Sequence, residues 1–161
     1  MSMTSAANTV QSIELTHLLT ARFEVSAPRA LGLTPYGERR IVQITGGTFE
    51  GPRLRGLILP EGGDWLLLRP DGVLQLDVRA TLQTDDGALI YVTYRGYRHG
   101  PKEVIERLGR GEIVDPGEYY FRIAPFLETA SEKYARLNSI VVVGTGNRLP
   151  AGPVYTLYEV Q

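Results

Sequence analysis

The sequence predicts an all-β domain, a single closed or nearly closed antiparallel β-barrel of about eight to nine strands with one short helix. Residues 74–83 alternate between apolar and polar side chains, which is typical of a strand with one buried face. Residues 46–56 carry four glycines among β-prone side chains. Glycine inside a strand marks a bulge, a barrel corner or a close backbone approach, so these glycines favour a barrel over a sandwich.

The predicted elements follow in order along the chain. Residues 1–10 are expected to form a flexible N-terminal tail, and residues 11–161 a single β-barrel domain. The first strand covers residues 13–25, and Asp-Gly turns such as Asp86-Gly87 join later strands into antiparallel hairpins. We predict further strands at 39–49 (bent at Gly46-Gly47), 53–59, 65–69, 74–83, 88–96, 119–124, 139–144 and 153–160, a loop at 28–37 and a helix at 104–108.

Composition excludes several classes of function. The formal net charge is −1 and no run of Lys or Arg occurs, so we predict no nucleic-acid partner. The absence of cysteine excludes disulfides, thiolate catalysis and cysteine-bound metal. No apolar run approaches the length of a membrane span and no signal peptide is visible, so we predict a cytoplasmic protein with no membrane partner.

No residues of the sequence have the spacing of a known metal-binding or cofactor-binding motif. The two histidines, His17 and His99, lie in different regions of the chain, so we predict no metal site. Because His17 falls among apolar residues of the first strand, we expect it in the core or the lumen. Gly144-Thr145-Gly146 lacks the third glycine and the helix of a phosphate loop, and we interpret it as a hairpin turn. No Walker motif or nucleophile elbow occurs, and we predict no cofactor.

Polar side chains share faces of the predicted strands. Asp77 and Arg79 leave the same face of one strand, and Arg122 shares a face with Tyr120. If these faces point into the lumen, an acid, guanidinium groups and phenols converge there, which suits proton transfer with an anion clamp. Alternatively the polar face is solvated, and Leu76 and its apolar neighbours pack the core.

Aromatic residues leave two further alternatives open. Trp65, beside a turn, is either a wall of a ligand pocket or a core anchor. The cluster Tyr119-Tyr120-Phe121, with Tyr155 and Tyr158, suits a pocket for a flat ligand and equally an oligomer interface.

Several segments keep a recognisable order across the chain. They are residues 37–56, Gly63-Asp64-Trp65, Arg69-Pro70-Asp71-Gly72, Leu76-Asp77-Val78-Arg79, residues 86–92, Tyr119-Tyr120-Phe121-Arg122 and residues 134–138. Together these segments resemble the pattern of domain-of-unknown-function family 3237. The resemblance implies a compact β-barrel, similar to the allene-oxide-cyclase and dirigent barrels and often oligomeric, with no assigned activity. Those similar barrels bind hydrophobic or aromatic molecules and guide cyclisation or coupling.

We hypothesise a barrel that binds a small hydrophobic or aromatic molecule in its lumen and acts on it as a cofactor-free isomerase, cyclase, hydratase or lyase. The alternatives are a non-catalytic ligand-binding protein and a structural homo-oligomeric barrel. Because an Arg neighbour weakens a carboxylate as a base, Glu128 is a better candidate base than Asp77. The predicted catalytic residues are Asp77, Glu128 and Tyr91, and the predicted ligand-binding residues are Arg79, Arg122, Trp65, Tyr120, Phe121 and Asn138.

Overall fold

The computed structural model describes residues 10–161. The predicted tail, residues 1–10, lies outside the described residues except for Val10, which is exposed. The described chain forms ten strands, one α-helix, α1 (Lys102–Gly109), and two short 3₁₀ helices, Pro116–Glu118 and Ala135–Ser139. The strands are β1 (Leu15–Val25), β2 (Arg29–Thr34), β3 (Gly37–Glu50), β4 (Arg55–Ile58), β5 (Gly63–Leu68), β6 (Leu74–Thr84), β7 (Leu89–His99), β8 (Tyr120–Thr129), β9 (Val142–Leu149) and β10 (Gly152–Val160).

The strands close into an antiparallel barrel, as predicted. Neighbours around the ring run β1-β10-β9-β8-β7-β6, and the pairing of β3 with β1 completes the circle. β4 and β5 follow one another between β6 and β3, and together they occupy one strand position. The barrel therefore has eight strand positions, and β2 is added beside the first half of β3.

Closure takes place at the glycines of β3. The first half of β3 pairs with β2, and from Ile44 onward the same edge pairs with β1. At this change the register shifts between Glu24 and Val25 of β1, opposite Gly46 and Ile44. Gly47 has φ +137°, and a Cβ at this position would lie 2.1 Å from the carbonyl oxygen of Arg22. The irregularity predicted at Gly46-Gly47 is therefore the bulge that lets β1 meet β3.

The core fills the barrel from the inner face of each strand. On β6, Leu76, Val78 and Ala80 are buried, and the residues between them are partly exposed or exposed. Four inward aromatic rings pack edge to face, with centroid separations from 5.2 to 6.4 Å, and these are Phe23, Tyr94, Phe121 and Tyr155.

Helix α1 covers one end of the barrel. Its side chains Val104 and Leu108 are buried in the main core. Within residues 10–161 no helix is long and apolar enough to cross a membrane.

Two predicted elements differ from the structure. The predicted loop at 28–37 contains β2, which gains its backbone partners from β3. The predicted hairpin turn Gly144-Thr145-Gly146 lies inside β9, and the turn comes later, between Leu149 and Gly152. A Cβ on Gly146 would lie 2.6 Å from the Phe121 ring, so this glycine provides space for a core side chain and does not turn the chain.

His17 is on the outside of the barrel, and its predicted core position is wrong. The pairing of β1 with β10 shifts register between His17 and Leu19. Leu18 and Leu19 are consequently both buried, whereas His17 is exposed and lies 3.1 Å from the Thr20 hydroxyl. One bulge thus reverses the face of every residue before it.

We expect Gly47→Ala to lower the free energy of unfolding by more than about 2 kcal/mol, because its Cβ would collide with the β1 backbone and φ is unfavourable for alanine. Urea denaturation followed by circular dichroism measures the change. Gly109→Ala is the control, since a Cβ there meets nothing within 4 Å. Equal stability of the two variants would show that closure tolerates a side chain at position 47.

Candidate active site

A cavity of about 340 Å³ occupies one end of the barrel lumen. Its walls are mainly apolar and aromatic, and residues after α1 and in the β9–β10 turn form its rim. This volume is at the lower end of the range for small-molecule sites. The polar or charged residues that line it are Arg40, Asp64, Tyr94, Arg98, Glu112, Arg148 and Tyr155.

Asp64 enters the lumen at an interruption of the barrel ladder. β5 pairs with β6 at Asp64–Val78 and again at Leu67–Gln75, and the two positions between them are not paired. The backbone N–H of Asp77 donates instead to Asp64 Oδ1, at 3.0 Å. The Asp64 carboxylate is therefore held in place by the backbone that would otherwise continue the ladder.

Burial dominates the electrostatics of Asp64. It raises the pKa of this carboxyl from 3.8 to about 6, with a smaller contribution in the same direction from the Asp77 charge. The Asp77 N–H bond and the Arg98 charge oppose the rise in pKa. A carboxyl with a pKa near 6 changes protonation close to neutral pH, which suits a group that both accepts and donates protons.

Two buried phenols lie beside this carboxylate. The rings of Tyr94 and Tyr155 are 5.2 Å apart, and both residues are almost inaccessible to solvent. Burial raises the pKa of each phenol well above its usual range. Tyr94 and Tyr155 therefore stay protonated and can donate hydrogen bonds to an oxygen in the cavity.

Two guanidinium groups lie toward the rim. The Arg98 guanidinium is 5.8 Å from the centroid of the Phe121 ring. The Tyr119 hydroxyl accepts the backbone N–H of Arg148 at 2.8 Å, and Arg148 itself donates to the Leu149 carbonyl. Burial, followed by the neighbouring Arg148 charge, lowers the pKa of Arg98, although arginine stays cationic at neutral pH. Among the described residues, neither guanidinium lies within 4.0 Å of a carboxylate oxygen.

Most of the residues predicted from the sequence to form the site lie on the outer face of the barrel. Leu76 and Val78 point inward, so Asp77 and Arg79 point outward, and the solvated-face alternative is correct for this strand. The same alternation buries Phe121 and places its neighbours outside. The lumenal position is therefore wrong for Asp77, Arg79, Tyr91, Tyr120, Arg122 and Glu128.

Some of these outer residues do come together. An open groove of about 740 Å³ on the barrel surface is lined by Trp65, Asp77, Tyr120 and Arg122 among others. The Arg122 guanidinium lies 5.3 Å from the Tyr120 ring centroid and donates to the Phe121 carbonyl at 2.9 Å. Trp65 is 38% exposed, which corrects the core-anchor alternative.

Asn138 has a structural contact. Its side-chain oxygen accepts the Thr129 N–H at 2.8 Å, and its amide donates to the Thr129 carbonyl at 2.9 Å. These two bonds hold the end of β8 against the following 3₁₀ helix, which is away from the lumenal cavity.

Three charged residues that line the lumenal cavity, Asp64, Arg98 and Arg148, are not among the site residues predicted from the sequence. A signal for Arg98 was present, because it continues the inward row of Val92 and Tyr94 at spacing two. Arg148 likewise continues the inward row of its strand, beyond two glycines. Asp64 lies just before the strand predicted at 65–69, and only the observed start of β5 at Gly63 shows which way its side chain points.

The fold and the cavity define a closed β-barrel with a lumen that can hold a small molecule. The chain belongs to the family described as protein of unknown function (DUF3237), whose pattern matches residues 13–160. The resemblance drawn from the sequence is thereby confirmed.

Relatives with solved structures share the same barrel. The UPF0311 protein RPA1785 of Rhodopseudomonas palustris is 34% identical over 149 residues, which cover 92% of this chain and 97% of that protein. Its crystal structure matches with a TM-score of 0.91, covering 94% of this chain and 100% of that one. A β-barrel-like protein from Acinetobacter baumannii is 42% identical, with a TM-score of 0.84 over 96% of this chain and 99% of that one. A structure described as an enzyme from Penicillium herquei, 21% identical, has a TM-score of 0.74 over 96% of this chain and 99% of that one, and shares the fold.

Asp64→Asn is expected to stabilise the protein above pH 6. The pKa is about 6 in the folded state and 3.8 ordinarily, so the folded state binds more protons between these values and loses stability as the pH rises through them. The full difference between the two pKa values corresponds to about 3 kcal/mol in the free energy of unfolding. In urea denaturation, we expect the free energy of unfolding of the variant to exceed that of the wild type by up to this amount at pH 7.5 and by little at pH 4.

Glu128→Gln, on the exposed outer face, provides the control and should follow the wild type at both pH values. If Asp64→Asn is less stable than the wild type at pH 7.5, the carboxylate is a stabilising charge and the account of its burial is wrong.

Proposed function

We propose that the barrel catalyses cofactor-free acid–base chemistry on a small, apolar or aromatic molecule bound in its lumen, with Asp64 as the group that transfers the proton. The observation that carries this proposal is the Asp64 carboxylate, which has no ion-pair partner among residues 10–161 and lies in a largely apolar cavity. The other acid of the cavity, Glu112, lies at the rim and is paired with Arg107 and Arg110, at 3.8 and 2.7 Å.

The neighbouring groups suit an enolate or phenolate intermediate. When Asp64 removes a proton from a carbon next to a carbonyl, negative charge develops on the carbonyl oxygen. Tyr94 and Tyr155 remain protonated and supply hydrogen bonds to such an oxygen in a site of low polarity. Asp64, now protonated, returns the proton to another atom of the same molecule.

This cycle serves each of the reaction classes considered. Return of the proton to a different carbon is an isomerisation. In a cyclisation, Asp64 instead removes the proton of an internal hydroxyl, whose oxygen adds to a carbon–carbon double bond conjugated with the carbonyl, and the proton is then delivered to the carbon next to that carbonyl. Elimination and hydration also need one proton removed and one delivered. A carboxyl whose pKa is near 6 is suited to both steps, since its two protonation states are both populated near neutral pH.

A ligand-binding protein without turnover is the second candidate. The largely apolar lining and the two neutral phenols favour it, since they recognise a flat molecule without altering it. In a ligand-binding protein, unlike an enzyme of the first kind, Asp64 would not change the bound ligand chemically.

We further propose a cytoplasmic homo-oligomer. The absence of cysteine from all 161 residues fits a reducing compartment. The outer groove, with Trp65 and Tyr120, has the aromatic character of a surface that another copy of the chain covers.

Proton exchange with solvent tests the catalytic proposal on a panel of small carbonyl compounds. The protein is incubated in D₂O with unsaturated ketones, lactones and aromatic acids, and deuterium uptake and product formation are followed by proton NMR. We expect exchange that rises with pH to a plateau above about 6, because Asp64 must be deprotonated to act as the base.

Asp64→Asn should lower that rate by about 100-fold or more, whereas Glu128→Gln should leave it unchanged. Binding of a compound with no exchange or product in the wild type would favour the ligand-binding protein. Equal exchange by the wild type and Asp64→Asn would remove Asp64 from the mechanism.

A further inference from the structure

The lumen contains two cations without ion-pair partners. Arg40, at the cavity wall, is paired with Glu38 at 3.0 Å, and Glu112 is paired outside the lumen. Arg98 and Arg148 have no carboxylate within 4.0 Å among residues 10–161. A partly buried guanidinium is stabilised by a neighbouring anion, and the described part of the chain supplies no carboxylate next to Arg98 or Arg148.

The backbone positions of these cations are fixed. Arg148 is anchored through its N–H to the Tyr119 hydroxyl, which in turn donates to the Asn147 side chain at 3.4 Å. Arg98 pairs across the sheet with Leu74 on one side and Phe121 on the other. Both arginines line the same cavity, where their like charges repel, and a ligand anion between them would relieve the repulsion.

The cations and Asp64 lie at different depths. Arg98 is level with Leu74, the first residue of β6, whereas Asp64 is level with Val78, four residues further along the same strand. At about 3.3 Å per residue, the two levels are about 13 Å apart along the strand, a distance that the side chains and a small organic molecule can span together. A ligand anchored at the rim by a negative group would place its other end near Asp64.

We propose that Arg98 and Arg148 form an anion subsite and that the molecule bound in the lumen is a flat organic carboxylate. Its carboxylate lies between the two guanidinium groups at the rim, and its apolar body extends along the aromatic wall toward Asp64. Phe121 forms part of that wall and also contacts Arg98. This inference names the substrate class for the proposed function and rests on it.

Paired acids and amides test the subsite directly. Benzoate, trans-cinnamate and 2-naphthoate are titrated into the protein by isothermal titration calorimetry, each beside its uncharged amide of the same shape. We expect at least one acid to bind about tenfold more tightly than its amide, because charge-assisted hydrogen bonds to both guanidinium groups are lost in the amide. If no acid binds more tightly than its amide, the proposal is overturned.

Variants of the two arginines test whether they cause the preference for the acid over its amide. Arg98→Gln and Arg148→Gln should each lower the affinity for the acid about tenfold or more, with the affinity for the amide unchanged. Arg122→Gln on the outer face is the matched control and should bind like the wild type. Wild-type affinity for the acid in either lumenal variant overturns the proposal. Arg98→Lys, which keeps the charge but loses the forked geometry, replaces Arg98→Gln if that variant does not fold, and a several-fold loss is expected.

The same variants separate this inference from the proposed function. Asp64→Asn should retain or improve binding of the acid, because a negative group in the cavity is removed, while proton exchange is lost. Preferential binding of acids with no exchange refutes the catalytic proposal alone. Exchange that depends on Asp64 but occurs equally well with molecules that lack a negative charge refutes the carboxylate inference alone.

Discussion

The pairing of β1 with β3 is the constraint on which the rest of the structure depends. It exists because β3 exchanges one partner for another at Gly46-Gly47, where the two backbones approach too closely for a side chain. Closure leaves the eight strand positions of the ring without a free edge and gives each of them an inner face. The wall of the barrel then shields an inward side chain from bulk water. The chemistry of the lumen follows from that restriction.

Burial acts on the acid and the base of the lumen in opposite directions. It raises the pKa of Asp64 and lowers the pKa of Arg98, since in both cases it disfavours the charged form. Their mutual attraction lowers the pKa of Asp64, but burial has the larger effect. The two groups form no direct ion pair, and each therefore keeps its capacity to interact with a third molecule.

Most of the fold could be predicted from the sequence, whereas less of the candidate site could. Alternation over residues 74–83, Asp-Gly turns and the glycines of β3 depend on local geometry, and they predicted the strands and the closed barrel. Alternation divides a strand into two faces without naming the inner one, so the outward Asp77 was as compatible with a lumenal site as with a solvated surface. His17 shows a second limit, since the bulge at Leu18 depends on pairing with β10, which is distant in sequence.

The separation between Asp64 and Arg98 depends on how the strands pair, and it could not be predicted from the residue types alone. If Asp64 contacted Arg98 directly, the ion pair would hold the carboxyl at a low pKa and would neutralise the guanidinium. The acid would then be a weak base, and the cation would have little attraction for a ligand. Arg98 pairs with Leu74 and Asp64 pairs with Val78, and these two levels are four residues apart along β6. The register of the barrel thus keeps the Asp64 carboxylate and the Arg98 guanidinium apart within one cavity.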